Sequence, residues 1–322
     1  MRERFFSALV TVVAVVLLLP AAAASQTPTD SGAPPRTAWG DPDLNGTWSY
    51  ASLTPLQRPT SMADKEFFTP EEAAERNLSV TLDQPPRAGD VGSYNALWFD
   101  RGEVSADLRT SLIVDPLDGR LQVKPETQEQ AAGQRDYRRA HPGDSWLDRS
   151  NWDRCITYHG VPPISTGYNN TYQILQTADY VAIKAEMVHD VRIIRLGEPN
   201  RLPAHIRPWF GDSWGRWEGD VLVVETTNIN PTQAFQGITA SEEMKVTARF
   251  SRVDANTFLY EFTVDDPIMY TQPWGGEIPY NRFNDKVFEY ACHEGNYSLS
   301  SVLSGARYQE RMQAQGASDS RR

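Results

Sequence analysis

Between residues 170 and 265, apolar and polar side chains alternate in short runs cut by turn-forming residues. The segments 172–176, 180–187 and 191–196 each predict a strand. In the middle one, Val181, Ile183, Ala185 and Met187 share one face, and Ala182, Lys184 and Glu186 share the other. Thr177-Ala178-Asp179 and Val188-His189-Asp190 suit short hairpin turns. The stretch 208–227 crowds Trp209, Trp214 and Trp217 with Asp212, Glu218, Asp220 and Glu225, then runs into Val221-Leu222-Val223-Val224. Glu218-Gly219-Asp220 predicts a tight turn with glycine at positive φ, and so a hairpin. A further hairpin is expected from 244–253 and 258–264, then a last strand at 286–292 and a closing helix at 297–309. About eight strands with short connections predict a mainly β fold. The expected form is an antiparallel barrel or sandwich, a lipocalin-like meander.

The first half of the chain has a different pattern. Residues 50–110 show little periodicity. Thr69-Pro70-Glu71-Glu72 is a helix start, with Thr69 as N-cap, and the helix should stop near Asn77. A second helix is expected over 126–140, with Arg135, Asp136, Arg138 and Arg139 on a solvated face. The implied division is a signal peptide at 1–24, a flexible lead-in at 25–45 and an irregular, partly helical segment at 46–150 packed on the core. An antiparallel β domain at 151–309 and a disordered tail at 310–322 complete it.

Composition adds the compartment. Arg2 and Arg4 precede a nearly unbroken apolar run over 5–20, and Ala22-Ala23-Ala24 follows as a cleavage site. The run is short for a spanning helix. The expectation is a periplasmic or secreted bacterial protein with no membrane span after cleavage. A net charge of −11 argues against nucleic acid as a partner and fits a small-molecule substrate or ligand. Nothing in the sequence sets an oligomeric state. The two cysteines, Cys155 and Cys292, are expected to form one disulfide on export, tying the start of the β domain to its last strand.

Several motifs resemble those of a set of exported bacterial proteins of unassigned function. They are Asp41-Pro42-Asp43-Leu44-Asn45-Gly46-Thr47-Trp48, Tyr168-Asn169-Asn170, Glu186-Met187-Val188-His189-Asp190, Gly211-Asp212-Ser213, Gly215-Arg216-Trp217-Glu218-Gly219-Asp220 and Phe288-Glu289-Tyr290-Ala291-Cys292-His293-Glu294-Gly295-Asn296. The resemblance covers about residues 40–308 and implies export and a single domain, with no activity attached. Trp214 departs from it, standing where a small or charged residue is usual.

No phosphate loop, dinucleotide fingerprint or Gly-Xaa-Ser-Xaa-Gly elbow occurs, and no cofactor is expected. None of the five histidines has metal-ligand spacing, and no metal site is assigned. A mononuclear site would have to gather His159, His189 and His293 in space. The stronger signal pairs acids with histidines. Alternation along 286–292 would put Glu289 and His293 on one face, ~13 Å apart. His189-Asp190 would supply an oriented imidazole, although the same pair equally fits a plain turn. The catalytic candidates are therefore His189, Asp190, Asp212, Glu289 and His293. The expected substrate contacts are Tyr172, Glu186, Arg192, Trp214, Arg216 and Trp217. Asp212 with Arg216 fits a structural ion pair as well, and the tryptophans fit a core. Gathered in one pocket, these groups would suit a cofactor-free lyase or hydratase, isomerase or hydrolase acting on a small oxygenated molecule. The alternative is a periplasmic small-ligand-binding barrel without catalysis.

Overall fold

The computed structural model describes residues 34–82, 98–235 and 238–319. The expected signal peptide and the start of the lead-in lie outside them. The protein is mainly β. Nine strands close a barrel: β1 (Gly46–Ser49), β3 (Thr171–Gln176), β4 (Tyr180–Ala185), β5 (Val191–Leu196), β6 (Asp212–Glu218), β7 (Val221–Thr227), β10 (Lys245–Arg252), β11 (Thr257–Asp265) and β12 (Trp274–Arg282). A short strand β2 (Ile113–Asp115) attaches to β12, and β8 (Ala234–Phe235) pairs with β9 (Ile238–Thr239) separately. The ring closes where β1 pairs with both β3 and β12.

The barrel is mixed, not wholly antiparallel, because β5 and β6 run parallel. Parallel neighbours need a long crossover, and residues 197–211 supply it. Every other pairing in the barrel is antiparallel. The hairpin of β6 and β7 turns at Gly219, whose φ of +60° is the left-handed conformation that its sequence requires.

The last strand is not where alternation placed it. Residues 286–292 form no strand, and β12 at Trp274–Arg282 is the final one. Gly275, Gly276 and Pro279 conceal it in the sequence. A Cβ at Gly276 would meet the Phe262 ring at 2.6 Å and the Leu112 carbonyl at 2.7 Å, so β2 and β11 can approach only a bare backbone. Pro279 is tolerated for a separate reason. Glu277 N donates to Leu112 O on the β2 side at 3.0 Å, and residue 279 points its nitrogen the same way. There β12 has passed β2, which pairs at 275–276, and has not reached β1, which pairs at 281–282. No ladder bond is lost.

Aromatic rings fill the interior. Trp48, Tyr50, Phe258, Tyr260, Trp274 and Tyr280 are each at most 2% exposed. Phe258 stacks on Tyr280 with centroids 4.6 Å apart, and Trp48 meets Phe258 edge-on at 4.9 Å. Three helices lie outside: α1 (Pro70–Ser79), α2 (Pro125–Ala140) and α3 (Ser298–Asp319). α1 starts at the expected N-cap Thr69, which forms a capping box with Glu72. α2 is anchored at its start, where Lys124 N donates to Met269 O at 3.1 Å. α3 continues through 310–319, the region expected to be a disordered tail. The segment 46–150 does more than pack on the barrel, since it contributes β1 to the ring and β2 to the edge of β12.

Candidate functional site

The segment 155–164 supplies walls to several hollows at one end of the barrel, two of which bear on function. Cys155 opens that segment and is bonded to Cys292. Val161 and Ile164 then bury themselves in the barrel core, as does His159. The segment is held by Gln233, whose Nε2 donates to the His159 carbonyl at 3.0 Å.

Beneath it is a small, mostly apolar cavity, about 20 Å³ in volume, with a few polar groups in its walls. Gly160 and Pro163 roof it, and Tyr172, Asp190, Arg192 and Tyr260 are among its walls. Arg192 points inward from β5 and is 7% exposed. Its Nε donates to Ser213 Oγ on β6 at 3.1 Å, and its Nη2 donates to Thr226 Oγ1 on β7 at 2.8 Å. Ser213 and Thr226 are themselves 2.9 Å apart. One guanidinium thus ties three neighbouring strands. It also lies beside the Tyr260 hydroxyl, which offsets part of the upward pKa push from burial.

Tyr172 is raised above the usual tyrosine range, first by burial. Tyr50 is raised by burial too, and its hydroxyl lies 2.9 Å from His159 Nδ1. Burial holds His159 down to about 3, so this imidazole is neutral in the folded protein near neutral pH. Sequence reasoning missed Tyr50, Tyr260, Ser213 and Thr226. For Tyr260, Ser213 and Thr226 the only signal was the inward phase of their strands, which every core position shares, and Tyr50 lies just past β1.

The remaining candidates whose side chains are described do not line this cavity. Asp212 is buried, but on the outer face of β6, one residue out of phase with the inward Ser213. The crossover 197–211 covers it. Its carboxylate pairs with Arg195, accepts from Leu202 N at 2.8 Å and accepts from Trp214 Nε1 at 3.1 Å. Its ion-pair partner is therefore Arg195, not Arg216. Arg216 is exposed and donates to Glu218 at 2.6 Å. Trp214 is half-buried, with the Arg195 guanidinium 4.7 Å from its ring centre. Trp217 packs against the core. Glu186 is half-buried. Burial raises its carboxyl, opposed by hydrogen bonds from Thr171, Asn169 and the Phe288 backbone.

Glu289 and His293 are exposed on the segment after β12, where no strand aligns them. Glu289 lines a separate hollow beside Cys292 and Asn296. Residue 189 ends a 3-10 turn at Met187–His189, and its side chain lies outside the described structure. Among the described residues, no three His, Cys, Asp or Glu side chains cluster closely enough to hold a metal ion.

On the outer side of the same segment lies a cleft of about 1300 Å³. One wall is α2, through Gln130, Gln134 and Arg138. Another is the run from Leu147 to Tyr158, in which Trp152 and Tyr158 pack with ring centres 5.0 Å apart. The barrel end supplies Arg207, Trp209 and the residues after β7 and β9. Alternation gives no hint of this cleft, because its walls come from loops and from the helix face read as merely solvated.

No family model matches the chain, and comparison with curated proteins and with solved structures finds no significant similarity.

Proposed function

We propose that the chain is an exported protein that binds a small molecule in the cleft at the barrel end. The supporting observation is room. Small-molecule sites occupy roughly 300–1,000 Å³. The cleft offers about 1300 Å³, whereas the barrel cavity offers about 20 Å³. A space of that size holds about one water. The filled interior therefore favours binding at the mouth over binding inside. Export is supported by the disulfide, which suits an oxidising compartment, and by the N-terminal pattern. No helix among the described residues is long and apolar enough to cross a membrane.

Acid–base turnover of a small oxygenated molecule, as by a lyase, isomerase or hydrolase, is supported by one observation. Asp190, Arg192 and Tyr260 converge on the inner cavity. Turnover there requires the segment 155–164 to move aside.

The test is a thermal-shift screen of small organic molecules against the wild type and a Gln134→Trp variant, which places an indole in the cleft. Binding at the mouth predicts molecules that raise the wild-type melting temperature and lose most of that effect in the variant. Stabilising molecules unaffected by the indole would refute it, as would a library without any. Chemical conversion of a stabilising molecule, abolished by Asp190→Asn, would favour the enzyme instead.

A further inference from the structure

We infer that the cleft takes an aromatic anion: a planar ring carrying a carboxylate or phosphate group. This deepens the proposed function and rests on it. The whole chain carries a charge of −11, yet the charged side chains lining the cleft are mostly arginines. Arg138 comes from α2, Arg149 and Arg154 from the run that follows, and Arg207 from the crossover. Only Glu242 and Glu243 oppose them there. An acidic molecule has gathered cations from three separate elements around this one cleft.

Existing contacts leave these cations incompletely neutralised. Arg207 is 17% exposed, while its partner Glu242 is 73% exposed and 3.8 Å away, beyond hydrogen-bond length. Arg154 lies over the Trp146 ring at 4.6 Å, a contact that leaves the edge of its guanidinium free to fork onto an oxyanion. Arg149 pairs with Asp153 at 3.1 Å and so serves mainly as a wall. The aromatic part of the ligand follows from Trp152, Tyr158 and Trp209, which stand among the arginines. A ring slides against such side chains, while a charged rim fixes its acidic end.

The probes are benzoate, phenyl phosphate, cyclohexanecarboxylate and benzyl alcohol, titrated into the full mature chain while tryptophan fluorescence and melting temperature are read. The inference expects benzoate or phenyl phosphate to bind, cyclohexanecarboxylate to bind more weakly and benzyl alcohol least. The stronger of the two anions tells carboxylate from phosphate. Affinity should fall with added salt. Arg138→Gln with Arg154→Gln should weaken the anions by about tenfold or more, since hydrogen bonds to charged groups are the strong ones, and should leave benzyl alcohol unchanged. Both positions are at the surface, so an unchanged melting temperature without ligand verifies the fold. Equal binding of benzoate and benzyl alcohol, insensitive to the arginine changes but blocked by Gln134→Trp, would overturn the anion class and leave the cleft as a site. Binding that Gln134→Trp does not affect, or no binding of any probe, would overturn the site itself.

Discussion

Arg192 donates to Thr226 at 2.8 Å across the width of β6, so one side chain on β5 grips a hydroxyl two strands away. The grip crosses the parallel junction of β5 and β6, which pair over only three residues, Ile194 to Leu196 against Ser213 to Gly215. Replacing Arg192 with Ala removes both hydrogen bonds and leaves a void between Tyr172 and Tyr260. The expected loss is roughly 3 kcal/mol of unfolding free energy, read from urea denaturation. Arg192→Met keeps most of the volume, and Ser213 and Thr226 can still bond each other at 2.9 Å, so it should cost less. Equal losses would show that the hydrogen bonds, not the packing, carry the effect.

Stability should depend on His159. Its ring stays neutral in the fold down to about 3, while an unfolded chain protonates it near 6.5. The folded value lies below the unfolded one, so this contribution is complete above pH 6.5 and declines as pH falls towards 3. The limiting slope is ~1.4 kcal/mol per pH unit. Asp100, Glu186 and Glu277, whose carboxyls burial raises, act in the opposite sense. The measurement is therefore the difference between wild type and His159→Gln at each pH from 7 to 4.5. That difference should shrink as the solution is acidified, and a constant gap would contradict it.

The bond between Cys155 and Cys292 closes a loop with a sequence separation of 137. Replacing both with Ser should lower stability by about 2–5 kcal/mol. Amide exchange should quicken most in 155–164, the segment over the inner cavity, and least in β10 and β11. Uniform acceleration would mean that the bond acts on the unfolded chain alone.

Asp212→Asn tests the outer face of the barrel. The side chain of Asp212 is fully buried against Arg195. Loss of its charge should cost roughly 3 kcal/mol, while benzoate affinity in the cleft should be unchanged. A large change in affinity at unchanged stability would instead make Asp212 part of the ligand site.

How much of this was legible in the sequence differs from strand to strand. The pattern of apolar positions placed β4, β5, β7, β10 and β11 within a residue or two, because β4, β5, β10 and β11 bury one face more than the other and β7 carries an apolar run. It missed β12, whose glycines and proline serve close approach and a gap in pairing. It missed β1 as a wall strand, because four residues carry too little pattern. The site was harder to see. Tyr172, Asp190 and Arg192 do meet in one cavity. Asp212 does not, because on a strand the position beside an inward residue faces outward, and the choice between Asp212 and Ser213 depends on the register with β5 and β7, which alternation within β6 does not give. The arginines of the cleft lie on separate loops and one helix, so only folding brings them together.

The place where β1 meets β12 has a consequence for how the protein is made. Trp48 sits opposite Arg282, whose guanidinium lies 5.0 Å from the indole centre and donates to the Asn45 carbonyl. The hoop is therefore fastened by its first link and its last. A ribosome must deliver residue 282 before that clasp can shut, and until then the growing polypeptide keeps a raw edge that only its own far end can cover.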